Sequence, residues 1–170
     1  MTQDLTALIR QAYGGDLTRP VSFFIDTQLK QRPYDPVIND LGELGLQLHE
    51  FTDPNFYVAF GYKITDDTPV TSSWVLELSM VGRFGVLART AHNEWHRLLY
   101  PAEPDLHPIE AAMLDILTTH QITLPTRQEL EQPLEMTLDF TDPENVRVYH
   151  ALFSDEDLLP WQFSPLYRPS

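Results

Sequence analysis

From Leu46 to Thr90 the apolar residues recur at every second position, and the gaps between the alternating runs are short. Leu46 and Leu48 alternate with Gln47 and His49. Phe56, Val58, Phe60, Tyr62 and Ile64 form a second set, followed by the turn-rich Thr65-Asp-Asp-Thr-Pro69. Trp74, Leu76, Leu78 and Met80 form a third, and Gly82-Arg-Phe-Gly85 turns the chain into Val86-Leu-Ala-Arg-Thr90. Successive side chains of a strand point to opposite faces, so a period of two is the mark of strands. Connections this short join antiparallel neighbours, because parallel strands need a crossover of a dozen residues or more. A meander of four strands is predicted at the centre of the chain.

On either side of it the period lengthens to that of a helix. Leu5, Leu8, Ile9 and Ala12 fall at i, i+3, i+4 and i+7, and Gly14-Gly15 supplies a stop, predicting a helix over about residues 3–13. Asp35-Pro36 resembles an N-cap followed by proline in the first turn, with Ile38, Leu41 and Leu44 on one face and Gly45 at the end. Between them, Val21-Ser-Phe-Phe-Ile25 fits either an edge strand or an extended covering segment, since Pro20 precedes it and Pro33 and Pro36 follow. Ile109, Ala112, Met113, Ile116 and Leu117 give the clearest amphipathic pattern and predict a helix over about 108–120. Thr126 with Glu129 forms a capping box ahead of Leu130. Leu134, Met136, Leu138 and Phe140 alternate with Glu135, Thr137 and Asp139, which predicts a further strand with an acidic polar face. Thr141-Asp142-Pro143 opens another predicted helix through Val146, Tyr149, Leu152 and Phe153, and the tail carries Trp161, Phe163 and Tyr167. Helices at both ends and strands in the middle predict an α+β fold: a central antiparallel sheet of four to five strands, with helices from both termini packed on one face.

The 170 residues suit a single globular domain, residues 1–170, and no internal repeat or long linker divides them. With 42% apolar residues the chain has ordinary globular composition. There is no cysteine, which excludes disulfides, thiolate ligands and a cysteine nucleophile and makes a reducing cytoplasm the expected home. Met1 to Arg10 does not read as a secretory signal, and no window approaches the roughly 18 apolar residues of a membrane span.

The charge is placed unevenly. Residues 103–157 hold thirteen carboxylates against two cations, Arg127 and Arg147, so eleven of the fourteen net negative charges lie in one third of the length. Such a field repels nucleic acid and anionic membrane and steers a basic protein toward it. The stretch reads either as solvated faces that keep the protein soluble or as a surface for a basic partner. In the second case Glu129, Glu131, Asp155, Glu156, Asp157 and Trp161 are the candidate partner-binding residues, acidic groups beside large anchors.

Chemistry finds little support. His92-Asn-Glu-Trp-His96 puts two imidazoles four residues apart, but nothing fixes a third ligand and the glutamate does not directly follow the first histidine as it does in metalloproteases. The pair reads as surface histidines on a loop or helix end, and no metal is expected. The acidic pairs fall at predicted turns and helix ends, where carboxylates cap or stay solvated. There is no nucleophile elbow, phosphate loop or dinucleotide fingerprint, so no catalytic residues and no cofactor are assigned. A second functional class remains open, a small-molecule-binding protein or enzyme with an apolar pocket on the sheet walled by Trp74, Trp95 and Trp161 with Phe56, Phe60 and Tyr62, and with His92 or His96 as a polar group.

The strand Trp74-Val-Leu-Glu-Leu-Ser-Met-Val-Gly82, the late helix Tyr149-His-Ala-Leu-Phe153 leading to Pro160-Trp161, and the acidic, cysteine-free composition together resemble the immunity proteins that neutralise bacterial polymorphic toxins. The resemblance spans most of the chain through its layout. It implies a non-enzymatic protein that blocks a cognate toxin domain, often a basic nuclease or another cytosol-acting enzyme, by tight stoichiometric binding. It carries no catalytic residues over to this sequence.

Overall fold

A computed structural model describes residues 4–67 and 72–162. The predicted meander is present and has five strands: β1 (Gln47–Glu50), β2 (Ala59–Thr65), β3 (Ser73–Ser79), β4 (Gly85–Ala91) and β5 (Glu94–Leu98). They lie side by side in chain order, every neighbour antiparallel, giving an α+β fold. The fifth strand arises where two surface histidines on a loop or helix end were expected. His92 and Asn93 both have positive φ, 54° and 64°. That is the backbone of a tight two-residue hairpin, whose twist matches that of the strands it joins. His92 therefore sits exposed in the turn and His96 lies on β5, so no helix stacks the two rings on one face.

Alternation along the strands sorts the side chains into two cores. Phe60, Tyr62, Ile64, Trp74, Leu76, Leu78 and Leu87 face α3 (Asp35–Glu43) and α4 (Pro108–Thr119), which contribute Val37, Leu41, Met113, Leu114 and Leu117. The strand aromatics Phe60, Tyr62 and Trp74 are thus core packing and wall no open pocket. On the other side Ala59, Val86, Ala88 and Leu98 meet Ile9 of α1 (Leu5–Ala12) and the whole of α6 (Val148–Leu152). The helices consequently cover both faces, where the sequence predicted one. Each helix has one apolar stripe, and a sheet in which Leu76 and Glu77 alike are buried has no wet side at its centre. Gly61 makes room on the second face for the ring of Phe51, since a Cβ there would come within 2.4 Å of it.

Two elements depart from the sequence pattern. Residues 21–25 lead into a helix, α2 (Phe24–Gln31), which stops on Arg32 at φ 50°. The Arg32 guanidinium then grips Glu50 of β1 with both terminal nitrogens, at 2.6 and 3.1 Å. Residues 134–140 run extended but join no sheet. Leu134 and Met136 are buried and Glu135 is exposed, so laying an extended segment along the core reproduces a strand's alternation without strand partners. Beyond it, Pro143–Asn145 is a 3-10 turn, and the helix expected from Thr141 begins only at Val148. The predicted turn over 65–69 lies partly outside the described residues, and Phe163 and Tyr167 lie wholly outside them.

Glu110, in the first turn of α4, fastens that helix to the sheet. Its fully buried carboxylate accepts two bonds from Arg89 at 2.7 Å, one from Trp74 Nε1 at 3.0 Å and one from the His107 backbone N–H at 3.0 Å. Burial alone would raise its pKa, but the Arg89, Trp74 and His107 bonds outweigh burial and hold it below the ordinary glutamate value. Among the described residues no helix is long and apolar enough to cross a membrane.

Candidate interaction site

The acidic end of the molecule is assembled around α6. That helix is short, so its last carbonyls need partners outside it. Tyr13 Oη donates to Ala151 O at 2.7 Å and Ser79 Oγ to Leu152 O at 2.6 Å, tying the helix to α1 and to β3. Tyr149 Oη donates at 2.7 Å to Glu77, a β3 carboxyl that is 2% exposed. Burial pushes the Glu77 pKa up to about 7, with the Tyr149 bond acting against it and the Glu156 charge adding to it. Past the helix the chain is strapped to the loop before β2: Val58 N donates to Phe153 O and Asp155 N to Phe56 O, at 3.0 and 2.7 Å.

Asp155 and Asp157 then organise the segment that follows residue 138. Asp155 accepts from the backbone N–H groups of Asp139 and Phe140, at 2.9 and 3.1 Å, and from Thr141 Oγ1 at 2.7 Å. Asp157 accepts from Asp142 N at 2.9 Å and Asn145 Nδ2 at 3.1 Å, and these bonds hold its carboxyl below the usual aspartate range. Backbone carbonyls meet Leu134 N and Thr137 N, from Val146 and Leu17, and the Asp155 carboxylate takes over at the end of the segment. One result is that Phe140 is turned outward, its ring 4.9 Å from that of Phe56, with the two 52% and 40% exposed. Glu156 accepts from Tyr57 Oη at 3.0 Å beside them.

Between the 20–25 segment, the 54–58 loop and residues 137–139 lies a cleft of about 140 Å³. Ile25, Phe56 and Leu138 give it apolar walls, and Asp139, Asp155 and His150 supply its polar groups. His150 is buried, and its Nδ1 accepts from the Arg147 backbone N–H at 2.9 Å. Burial draws the imidazole pKa below its ordinary value, against the pull of the Glu156 carbonyl and of Asp155. Six large apolar residues are exposed among the described residues, and four of them, Val21, Phe23, Phe56 and Phe140, belong to the segments around this cleft. Phe23 is 81% exposed.

The arginines of the fold are paired mostly away from this end. Arg32 pairs with Glu50, Arg89 with Glu110, Arg97 with Glu103 and Asp105, and Arg127 with Glu131. None of Asp139, Asp142, Glu144, Asp155, Glu156 and Asp157 forms an ion pair with a described residue. The one arginine in this stretch, Arg147, donates instead to the carbonyls of Glu144 and Val146.

Of the residues the sequence singled out, Asp155, Glu156 and Asp157 come together at this end. Glu129 closes the capping box of α5 (Arg127–Leu130), accepting from Thr126 N at 2.8 Å. Glu131 accepts from Arg127 Nε at 2.7 Å and from Trp161 Nε1 at 2.6 Å. Trp161 itself is 2% exposed and packs on Tyr149 and Trp95, so it docks the C-terminal segment in the core. Phe56 was named as a pocket-lining aromatic, though on the sheet, and it lines this cleft; Phe140, Asp139 and the 20–25 wall were missed. Phe56 and Phe140 each continued an apolar alternation that pointed inward, and only the positions of the loop and of Asp155 turn them out. Among the described residues no three His, Asp or Glu side chains are placed to hold a metal ion. No protein family, curated protein or solved structure matches the chain.

Proposed function

We propose that this is a non-enzymatic binding protein of the immunity type, which neutralises a cognate toxin domain in the cytoplasm by tight association through its acidic end. The observation that supports it is the set of six carboxylates without ion pairs to any described residue around exposed Phe56 and Phe140. Interfaces combine aromatic anchors with a polar rim, and a field of one sign steers a partner of the other sign to them. The partner is therefore a basic protein; nucleic acid and anionic lipid carry the wrong charge. Stoichiometric inhibition needs no catalytic group, and a rigid surface set on a packed sheet suits it because little ordering is lost on binding.

The test is genetic and then biochemical. The reading frame immediately upstream should encode a protein with a basic C-terminal domain, and expression of that domain should kill cells unless this chain is expressed with it. Rescue should require a soluble one-to-one complex. Survival that does not depend on this chain, or neighbours that encode only metabolic enzymes, would remove the proposal.

A further inference from the structure

Resting on that partner assignment, we infer that the cleft walled by Phe56 is the anchor point of the interface and receives a single arginine side chain of the basic partner. Size comes first. About 140 Å³ is well short of the roughly 300 Å³ at which ligand sites for drug-sized molecules begin. It is close to the roughly 150 Å³ that admits a benzene-sized group. One side chain fits, and a cofactor does not.

Its walls then choose among side chains. Phe56, Ile25 and Leu138 offer apolar surface to a long aliphatic stem, and the exposed Phe56–Phe140 pair offers ring faces to a planar cation. Asp139 and Asp155 stand in the same lining, and neither is paired with a described cation. An acidic or purely aliphatic occupant would leave those carboxylates facing an apolar contact with water removed, which is costly. Arginine suits the site better than lysine because its guanidinium is flat, stacks on aromatic rings and is the more weakly hydrated of the two cations. His150 does not oppose it, since burial favours the uncharged imidazole.

The inference is tested without the toxin, on the full chain, by NMR titration with N-acetyl-arginine-N-methylamide. The corresponding capped lysine, leucine and glutamate compounds serve as comparisons. Capped arginine should shift the ring signals of Phe56, Phe140 and His150 and should bind there at least tenfold more tightly than capped leucine or glutamate, with lysine between. Phe56→Ala and Asp139→Asn should each weaken it about fivefold, and their unchanged melting temperatures would exclude misfolding as the cause. Absence of shifts in the cleft, or equal binding of arginine and leucine, overturns the inference. So does full rescue in co-expression by the Phe56→Ala, Asp139→Asn double variant, which would leave the immunity function standing and remove only its anchor.

Discussion

At the scale of single residues, Glu77 is the group whose setting departs furthest from its sequence pattern. Alternation along β3 puts it opposite Leu76 and Leu78, on the side where a strand of a one-sided sheet meets water, but Tyr149, 72 positions further on, covers it. No local pattern carries information over that separation, so the burial of Glu77 was illegible, as was the outward turn of Phe140. The consequence is a pH dependence whose sign can be worked out. The folded pKa, about 7, lies above the ordinary value of 4.5, so the folded protein holds this proton more tightly than the unfolded chain does. The contribution to stability is then fully present below pH 4.5, declines as the pH rises through the interval, and is lost above about 7. Glu77→Gln keeps an acceptor for Tyr149 Oη and carries no charge. We expect it to match wild type near pH 4.5 and to exceed it by about 2–3 kcal/mol at pH 8, as read by urea denaturation at the two values. A difference that stays constant with pH would show that the carboxyl does not titrate in this range.

At the scale of elements, the helices whose apolar stripes repeat cleanly, α1, α3 and α4, stand where the sequence put them, and the capping box of Thr126 with Glu129 forms as read. The failures share a cause. The period of two in residues 134–140 comes from packing against a core, which an extended segment satisfies as well as a strand does. The hairpin at His92 and Asn93 depends on two positive φ angles, which asparagine and histidine favour over other side chains but signal less sharply than glycine. For α4 the decisive contact is electrostatic. Glu110 is the third residue of the helix and serves as N-terminal cap as well as partner to Arg89 and Trp74. Glu110→Ala leaves a largely buried guanidinium without its counter-charge and the indole N–H without an acceptor, for which a loss of about 3–5 kcal/mol is expected. Denaturation of the Arg89→Met, Glu110→Met double variant separates the pair's net worth from the cost of breaking it. If the pair is retained for positioning, that variant should come within about 1 kcal/mol of wild type while the single variants do not.

At the scale of the whole molecule, the charge asymmetry read from the sequence survives folding, but its meaning changes with the pairing. Of the thirteen carboxylates between 103 and 157, those nearer the sheet and α5 are engaged by Arg89, Arg97 and Arg127. Nine of the thirteen have no ion pair with a described residue, and six of these nine lie from Asp139 onward, beside the Phe56–Phe140 surface. Charges that steer an encounter act through the association rate, whereas side chains desolvated in the contact act mainly through dissociation. Asp142→Asn, Glu144→Gln and Glu156→Gln together remove three negative charges at the rim and leave the cleft residues and the Asp155 and Asp157 acceptors in place. Against the basic toxin domain proposed as its partner, this triple variant should associate at least tenfold more slowly at 10 mM salt and within about twofold of wild type at 1 M, where the Debye length shrinks to roughly 3 Å. Its dissociation rate should stay within about threefold of wild type. Phe56→Ala should show the reverse, an unchanged association rate and faster dissociation, because an anchor is felt only after contact. Stopped-flow measurement of both rates over that salt range decides the matter. If the triple variant alters dissociation as strongly as association, the rim carboxylates are buried in the contact and do not act as a steering field.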